Sequence, residues 1–395
     1  MQAKPFKSKI SPSERAAREK FLLEITSLPT AAGREDAVVA LVEAWVSARA
    51  ARVSLGRDRC GNLVLVGGRG FKKACVKKAP LFITAHLDHP AFIVRSVRGS
   101  DVTLEFRGGV HDAYFKGSAI EIFGLSLERS FAARILSLDA GGKPFKIVTA
   151  RLAIPALAGQ IEPGCLGRWK FPKAVVSKGL VRTHACDDLA CVAAALLAFD
   201  DISRDKALSH VALLFTRAEE VGFVGAIGAA RGGTIPKGAR LVCLECSRSF
   251  PHDSPIGAGP IVRVGDRLSV FTPELTNSVS SLAEAHRKAR PDFKFQRKLM
   301  AGGACEATAF SSYGVHSTCI CLPLGNYHNM ADVDAVLAGK KKGVPGPEFV
   351  SAEDFHGMIE LLGVVARGLD TPGPSGRESM EKIWAQQAGI VGCKA

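Results

Sequence analysis

The stretch HVALLFTRAEEVGFVGA, residues 210–226, contains the most informative part of the chain. Its first part, HVALLFT, is typical of a buried strand, and the segment EEVGFVGAIGAARG that follows predicts a helix with a loose start. Two adjacent carboxylates, Glu219 and Glu220, lie between these parts, where they repel each other in an apolar setting. The pair is explained if one carboxylate binds a metal ion and the other transfers protons. The alternative is a solvated pair at a helix start, where the helix dipole favours negative charge.

The segments around this stretch repeat the alternation of strand and helix. The predicted strands are LFITAHLDH (81–89), ARLVCLECS (239–247) and HSTCICLPLG (316–325). The predicted helices include DDLACVAAALLAFDDI (187–202), which Asp187 or Asp188 could cap, and AEDFHGMIELLGVVARGL (352–369). Near the start of the chain, Ser13 could cap a first helix. This alternation predicts an α/β fold with a mostly parallel sheet and helices on both faces.

Between about residue 92 and residue 178 the pattern changes. Short alternating segments such as SDVTLEFRG (100–108) and KIVTARLAI (146–154) are separated by glycines, and no long helix interrupts them. Such a pattern is typical of a small β-barrel or sandwich. We therefore expect a discontinuous α/β domain, residues 1–91 and 179–395, with a β-rich domain inserted at 92–178.

The composition is that of a globular protein, with 395 residues, of which 47% are hydrophobic and 23% are charged. Apolar stretches do not reach the roughly 20 residues that cross a bilayer, and the N-terminus lacks a signal-peptide core. The eleven cysteines are an odd number, and several lie in strand-like runs, which indicates reduced thiols. We expect a cytoplasmic protein without a membrane partner. Cys243 and Cys246 have zinc-ribbon spacing, but the chain has no second such pair.

The net charge of +14 raises the alternative of nucleic-acid binding. The charge is spread along the chain, and its densest clusters, FKKACVKK (71–78) and GKKKG (339–343), resemble loop or strand-edge lysines. Only three Tyr and three Trp are available for base stacking. A solvated basic surface is therefore favoured over a nucleic-acid partner, and the charge could also favour acidic substrates.

Polar residues at the ends of the predicted strands are candidate metal ligands, because ligands collect there in open parallel sheets. His86 and Asp88 end the first strand, and a carboxylate near a histidine ligand can fix its tautomer. The alternative is a strand-end histidine beside a turn-forming aspartate. Asp187 and Asp188 begin a helix, so that one could cap it and the other bridge two metal ions.

Two more segments complete the set. Glu245 lies inside an apolar strand, where a buried carboxylate needs a Lys, an Arg or a metal ion as partner. His328 lies in a loop, where a single histidine does not by itself indicate a metal site. We interpret two other histidines, His89 and His111, as surface or pocket residues. Together, two histidines and several carboxylates are the composition of a dimetal hydrolase.

The order HxD, DD, EE, E, H resembles the di-zinc aminopeptidases, and in particular the cellulase M/glutamyl aminopeptidase family, the tetrahedral (TET) aminopeptidases. The segments EITSLPTAAGREDAVVALVEAWV (24–46), DRCGNLV (58–64) and EEVGFVGA are similar to that family as well. The resemblance covers about residues 20 to 368. In this family the second domain interrupts the chain between HxD and DD, as the predicted insertion does here. In the related carboxypeptidase/deacylase family it follows the glutamate pair, where this chain leaves little room.

The resemblance implies a zinc-aminopeptidase (phosphorylase/hydrolase-like) fold with two divalent metal ions, Zn²⁺ first and Co²⁺ or Mn²⁺ as alternatives. The implied metal ligands are Asp187 bridging both ions, His86 and Glu245 at one ion, and Glu220 and His328 at the other. The implied catalytic residues are Glu219 as general acid/base and Asp88 orienting His86. The family also implies short peptide substrates and a homo-oligomer formed through the inserted domain, which would also affect substrate access.

Some residues depart from the family pattern. Glu245 stands where the family typically has Asp, and the residues around His328 differ from the usual lead-in. Glu306 takes the acidic position of a Gly-Gly-Thr-Asp type segment, and it could meet the substrate's α-amino group. We expect a metal-dependent aminopeptidase. The alternatives are a metal-dependent amidohydrolase or deacylase acting on N-acyl amino acids, and a non-catalytic homologue.

Overall fold

A computed structural model describes residues 10–68, 79–370 and 376–391, so the lysine-rich segment 71–78 lies outside the described residues. The strands in chain order are β1 (Val53–Arg57), β2 (Leu63–Gly67), β3 (Leu81–His86), β4 (Ala91–Arg98), β5 (Asp101–Arg107), β6 (Ala119–Phe123), β7 (Ser130–Asp139), β8 (Lys146–Leu152), β9 (Leu166–Trp169), β10 (Val175–Ser177), β11 (Leu180–Thr183), β12 (Val211–Thr216), β13 (Arg240–Arg248), β14 (Ile261–Gly265), β15 (Gln296–Leu299), β16 (His316–Leu324) and β17 (Glu348–Ser351).

The α-helices follow in the same way. They are α1 (Pro12–Thr26), α2 (Asp36–Ser47), α3 (Leu189–Ile202), α4 (Val224–Gly232), α5 (Pro273–Ala289), α6 (Glu306–Ser312), α7 (Val333–Leu337), α8 (Ala352–Gly368) and α9 (Gly376–Gln387). Among the described residues, these helices include none that combines the length and the apolar character needed to cross a membrane.

An eight-stranded sheet forms the centre of the α/β part, in the order β1-β2-β12-β3-β13-β16-β14-β15. Its four middle strands, β12, β3, β13 and β16, run parallel to one another. Each parallel connection needs a crossover, and crossover helices cover the faces of such a sheet. Because side chains alternate along a strand, β13 directs Val242 and Leu244 into one core and Leu241 and Cys243 into another.

Helices cover both faces of this sheet. Buried residues of α1, α2, α3, α5 and α8 share the core of Val242, whereas those of α4 and α6 share the core of Leu241. The interior of α3 is almost entirely apolar and buried, because it lies between the sheet and helices α1 and α8. The predicted α/β class, with a mostly parallel sheet and helices on both faces, is confirmed.

A closed barrel of β4-β5-β8-β7-β6-β9 interrupts the α/β part between β3 and α3. Its core contains edge-to-face aromatic contacts, with ring centroids 4.8 Å apart for Phe92 and Trp169 and 4.9 Å apart for Phe106 and Phe115. The predicted inserted barrel is thus present in the fold. Strand β10 pairs with β11, outside the barrel, and β11 pairs in turn with β17.

Two local predictions differ from the structure. The side chain of Ser11, and not Ser13, caps α1 by accepting the Glu14 N–H at 3.1 Å. The helix predicted from Glu219 begins only at Val224. Ala218 and Phe223 have φ angles of 54° and 58°, in the left-handed region, so the chain between them is a turn rather than a helix.

Candidate metal centre and substrate cleft

The polar residues selected from the sequence meet at one edge of the sheet, where the parallel middle strands end. His86 is the last residue of β3, and Glu245 lies near the end of β13. Glu219 and Glu220 follow β12, and His328 follows β16. Parallel strands bring their carboxyl ends to the same edge, which is why segments far apart in sequence converge here.

Asp187 lies at the centre of this group, with each carboxylate oxygen directed to a different histidine. Oδ1 is 3.3 Å from Nε2 of His86, and Oδ2 is 3.4 Å from Nε2 of His328. Nε2 of His86 is also 3.8 Å from Oε1 of Glu245, while Nε2 of His328 is 3.3 Å from Oε1 of Glu220. Two sets of nitrogen and oxygen donors therefore share one aspartate.

The histidines are oriented through their other ring nitrogen. Nδ1 of His86 lies 3.1 Å from the carbonyl oxygen of Asp88 and 3.5 Å from its carboxylate. Nδ1 of His328 lies 2.6 Å from the carbonyl oxygen of Gly109, which belongs to the loop after barrel strand β5. When Nδ1 donates to these acceptors, Nε2 keeps its lone pair for a metal ion.

The Asp88 carboxylate holds the turn that carries the glutamate pair. It accepts the backbone N–H of Glu219 at 2.9 Å and that of Glu220 at 3.0 Å. From the other side, the fully buried Glu35 accepts the N–H of Ala218 at 3.0 Å and pairs with the Arg217 guanidinium. These bonds replace the helical hydrogen bonds that the turn gives up.

Glu348 supports the centre from behind, and the sequence patterns did not single it out. Its fully buried carboxylate accepts the N–H groups of Cys186 at 2.7 Å, Asp187 at 3.0 Å and His328 at 2.8 Å. One side chain thus fixes the backbone of two candidate ligands. Burial and the nearby Asp187 raise the pKa of Glu348 to about 8, against the opposing effect of the N–H donors.

The carboxylates at the centre disfavour one another when no cation is present. Burial raises the pKa of Glu219 well above its ordinary value, and Glu245 and Glu220 raise it further, although His86 opposes this. Burial and Asp187 raise the pKa of Glu245 to about 7. Burial would also raise the pKa of Asp187, yet the nearby His328 and His86 hold it well below its usual range.

The residues present fit divalent metal ions. Oδ1 of Asp187 and Oε1 of Glu220 are buried and find no hydrogen-bond partner among the described residues. Donor atoms of His86, Asp187 and Glu245 lie within 4.8 Å of one another, and so do those of Asp187, Glu220 and His328. Histidine nitrogens with carboxylate oxygens are ordinary ligands of catalytic zinc. Unpartnered buried oxygens in such groups are explained by bound cations.

A cleft of about 180 Å³ adjoins the centre, with Glu245 and Tyr327 among its lining residues. The Tyr327 ring stacks on His328, with centroids 3.8 Å apart. Arg263 also lines the cleft and is only 2% exposed, and the ion pairs among the described residues do not include it. Its guanidinium donates to Ser247 Oγ and the Gly303 carbonyl, both at 3.2 Å. This buried positive charge in strand β14 was missed because the segment carries no motif.

Glu306 lies away from the cleft, at the first residue of α6. It is 1% exposed, and its Oε2 accepts a hydrogen bond from Thr84 Oγ1 at 3.1 Å. Burial raises its pKa. Glu306 is not among the residues that line the cleft, and its contact with a substrate amino group stays a prediction.

Solved structures with the same fold include several aminopeptidases. The aminopeptidase of the archaeon Desulfurococcus kamchatkensis is 19% identical, with a TM-score of 0.71 over 90% of this chain and 95% of that one. The TET1 peptidase of Pyrococcus horikoshii is also 19% identical, with a TM-score of 0.67 over 88% of this chain and 99% of that one. An M18 family aminopeptidase from Thermotoga maritima is 13% identical, with a TM-score of 0.64 over 93% of this chain and 99% of that one.

The chain thus shares its fold with these aminopeptidases, and part of its sequence matches one family. Residues 150–341 match the sequence profile of M42 glutamyl aminopeptidase. This match confirms, over these residues, the resemblance to that family noted from the sequence, and together with the shared fold it supports a hydrolase of the aminopeptidase type. No curated protein sequence matches the chain.

Proposed function

We propose that the protein removes N-terminal residues from short peptides with the aid of two divalent metal ions. The observation that carries this proposal is the position of Asp187 between two histidine–carboxylate sets. One ion would be held by His86, Glu245 and Asp187, and the other by His328, Glu220 and Asp187. When bound, such ions supply an acidified water and polarise a carbonyl group. Zn²⁺ suits these ligands best, and Co²⁺ and Mn²⁺ are alternatives.

Glu219 is the proposed general acid/base. Its Oε2 is 3.9 Å from Nε2 of His86, and its donor atom lies within 4.8 Å of those of His86 and Glu220, so the carboxylate faces the centre. Glu219 is not part of the two donor groups that contain Asp187. It would take a proton from the attacking water and pass it to the amine that leaves when the C–N bond breaks. Asp88 would position Glu219 through its backbone N–H and would orient His86.

Substitution of Glu219 tests this division of roles. Glu219→Gln should keep both metal ions, because the amide leaves the proposed ligands intact, while kcat falls by about 10²–10⁴-fold. The matched variant Glu220→Gln should lose metal as well as activity. The readouts are metal content after dialysis and hydrolysis of amino-acyl anilides. Full activity of Glu219→Gln would show that Glu219 is not the general acid/base. Turnover of N-acyl amino acids by the unaltered protein, without cleavage of anilides, would favour the deacylase alternative.

We further propose that the cleft prefers an acidic N-terminal residue. A buried guanidinium with only neutral acceptors has charge left for a carboxylate, and arginine suits planar carboxylate recognition. Arg263→Gln should lower kcat/KM for a glutamyl anilide by about 10- to 100-fold, because a hydrogen bond to a charged group contributes about 1.5–3 kcal/mol. A leucyl anilide should change little.

Arg248→Gln is the control for this substitution, because Arg248 lines the same cleft but is already paired with Asp334. It should leave the ratio of glutamyl to leucyl hydrolysis near that of the unaltered protein. An equal loss for both anilides in Arg263→Gln would show a structural role and refute the proposed selectivity.

We also propose a homo-oligomer, with residues 92–178 as a separate domain at the interfaces and at the route to the cleft. The TET1 peptidase of Pyrococcus horikoshii can assemble into a tetrahedron or a large octahedral shell, which supports this proposal. The mass of the protein in solution, measured by light scattering, tests it. A cytoplasmic location is proposed because the nine cysteines among the described residues are free thiols, as a reducing compartment would keep them.

A further inference from the structure

Three buried side chains form a second donor cluster beside the metal centre. Cys191 lies in the first turn of α3, Cys246 lies on β13 next to Glu245, and Asp188 is the residue that precedes α3. Donor atoms of Asp188, Cys191 and Cys246 lie within 4.8 Å of one another, and all three residues are fully buried. None of the roles proposed above uses this cluster.

The sulfur atoms have the separation that a tetrahedral metal ion requires. Sγ of Cys191 and Sγ of Cys246 are 3.8 Å apart. Two thiolates bound to one zinc ion at about 2.3 Å, with tetrahedral angles, stand roughly 3.8 Å apart. The pair therefore needs little movement to bind a thiophilic cation.

Hydrogen bonds alone do not explain the cluster. As neutral thiols, Cys191 would donate to the Glu245 carbonyl at 3.3 Å and Cys246 to the Cys186 carbonyl at 3.3 Å. The Asp188 carboxylate accepts the His86 N–H through Oδ2, at 3.3 Å. Its Oδ1, however, is buried and has no hydrogen-bond partner among the described residues. An unpartnered carboxylate oxygen beside two thiols is explained by a cation.

The surrounding charge favours the same conclusion. The carboxylates close to the centre include those of Asp88, Asp187, Asp188, Glu219, Glu220 and Glu245. Two divalent ions would leave these carboxylates with an excess of negative charge, and neither of the cleft arginines forms an ion pair with them among the described residues. A further cation is therefore attracted rather than repelled.

We propose that Asp188, Cys191 and Cys246 bind a third, thiophilic divalent cation such as Zn²⁺, separate from the two ions of the catalytic centre. The ion would join the start of α3 to β13. Asp187 directly precedes Asp188, and Glu245 directly precedes Cys246 on β13. The third ion would therefore hold two proposed metal ligands in place from the opposite side of β13.

Cadmium is a suitable probe, because its binding to thiolates gives a charge-transfer absorption in the ultraviolet. The chelated, reduced full-length protein should bind about three equivalents of Cd²⁺, with the absorption reporting one of them. Cys191→Ser/Cys246→Ser should lose that one equivalent and the absorption. His86→Ala/His328→Ala should lose the catalytic equivalents and keep the absorption, which separates this proposal from the proposed function.

Cys60→Ser/Cys165→Ser is the matched control, since it removes an exposed thiol and a buried barrel thiol that lie outside the cluster. It should retain the absorption. If the cluster double variant does not fold, as judged by circular dichroism, the single Cys191→Ser variant replaces it. An absorption that is missing from the unaltered protein, or that persists without the cluster thiols, would overturn the proposal whether or not the protein cleaves anilides.

Discussion

Glu348 offers the sharpest test of how the metal centre is held, because it touches no substrate and none of the proposed ions. Its carboxylate accepts N–H groups from Cys186 and Asp187 on one oxygen and from His328 on the other. Glu348→Gln replaces one oxygen with an NH₂ group of nearly the same size. Whichever way the amide turns, at least one backbone N–H then faces another donor.

The loss of metal affinity in Glu348→Gln can be estimated from these hydrogen bonds. If the amide oxygen keeps the Cys186 and Asp187 donors, the N–H of His328 is left buried without an acceptor, which costs about 1–3 kcal/mol. At about 1.4 kcal/mol for each tenfold change, that is about 5- to 150-fold in an equilibrium constant. Loss of outer partners of metal ligands typically lowers metal affinity by about 10- to 100-fold. We therefore expect a 10- to 100-fold weaker site at His328, with the fold retained.

Competition with a chromophoric chelator measures this affinity, and chemical denaturation of the chelated protein measures the fold separately. Glu360→Gln is the control, because Glu360 is also a buried carboxylate but pairs with His286 and Arg290 rather than with the centre. Unchanged zinc affinity in Glu348→Gln would refute the reasoning. An equal loss in Glu360→Gln would refute it as well, since the effect would then be general.

Two further predictions follow from the geometry and charge of the centre. A Cβ added to Gly225 would lie 2.4 Å from the Arg217 carbonyl oxygen, so Gly225→Ala should lower stability by about 1–3 kcal/mol and reduce metal content. Gly232→Ala should do neither, because a Cβ there would come no closer than 4.0 Å to Thr234 Oγ1. Equal melting temperatures of the two variants would contradict this prediction. Because the pKa of Glu245 in the chelated protein is raised from 4.5 to about 7, its contribution to stability is present below pH 4.5 and is lost as pH rises through about 7. The free energy of unfolding should therefore fall more steeply over that range than in Glu245→Gln, and parallel denaturation curves would contradict this.

The periodicity of the sequence was sufficient for the fold class. Buried runs such as Val211–Thr216 and Arg240–Arg248 could only be central strands, and the change to short alternating segments after His86 marked the barrel. The ends of these runs also led to the residues that the structure brings together. Pattern reasoning works here because parallel strands put their ends at one edge, whatever their separation in sequence.

The supporting residues could not be found in this way. Glu348 and Glu35 bind backbone N–H groups that come from distant segments, and a backbone donor leaves no mark in a sequence. The helix predicted from Glu219 failed for a related reason. Its apolar periodicity is real, but the Asp88 carboxylate takes the N–H groups of Glu219 and Glu220 and keeps them in a turn. Tertiary hydrogen bonds thus overrode local preference at the site.

The barrel takes part in forming the proposed metal centre. The carbonyl oxygen of Gly109 orients His328, and the barrel core includes Met330 and Val333, which follow that histidine along the chain. Tyr114 donates a hydrogen bond to the Ala331 carbonyl at 2.7 Å in the same segment. A proposed metal ligand of the α/β part, His328, is therefore held by packing in the barrel. It follows that a substitution which loosens the barrel core should weaken metal binding even where the sheet is unchanged, so the two parts of the chain depend on each other for the site.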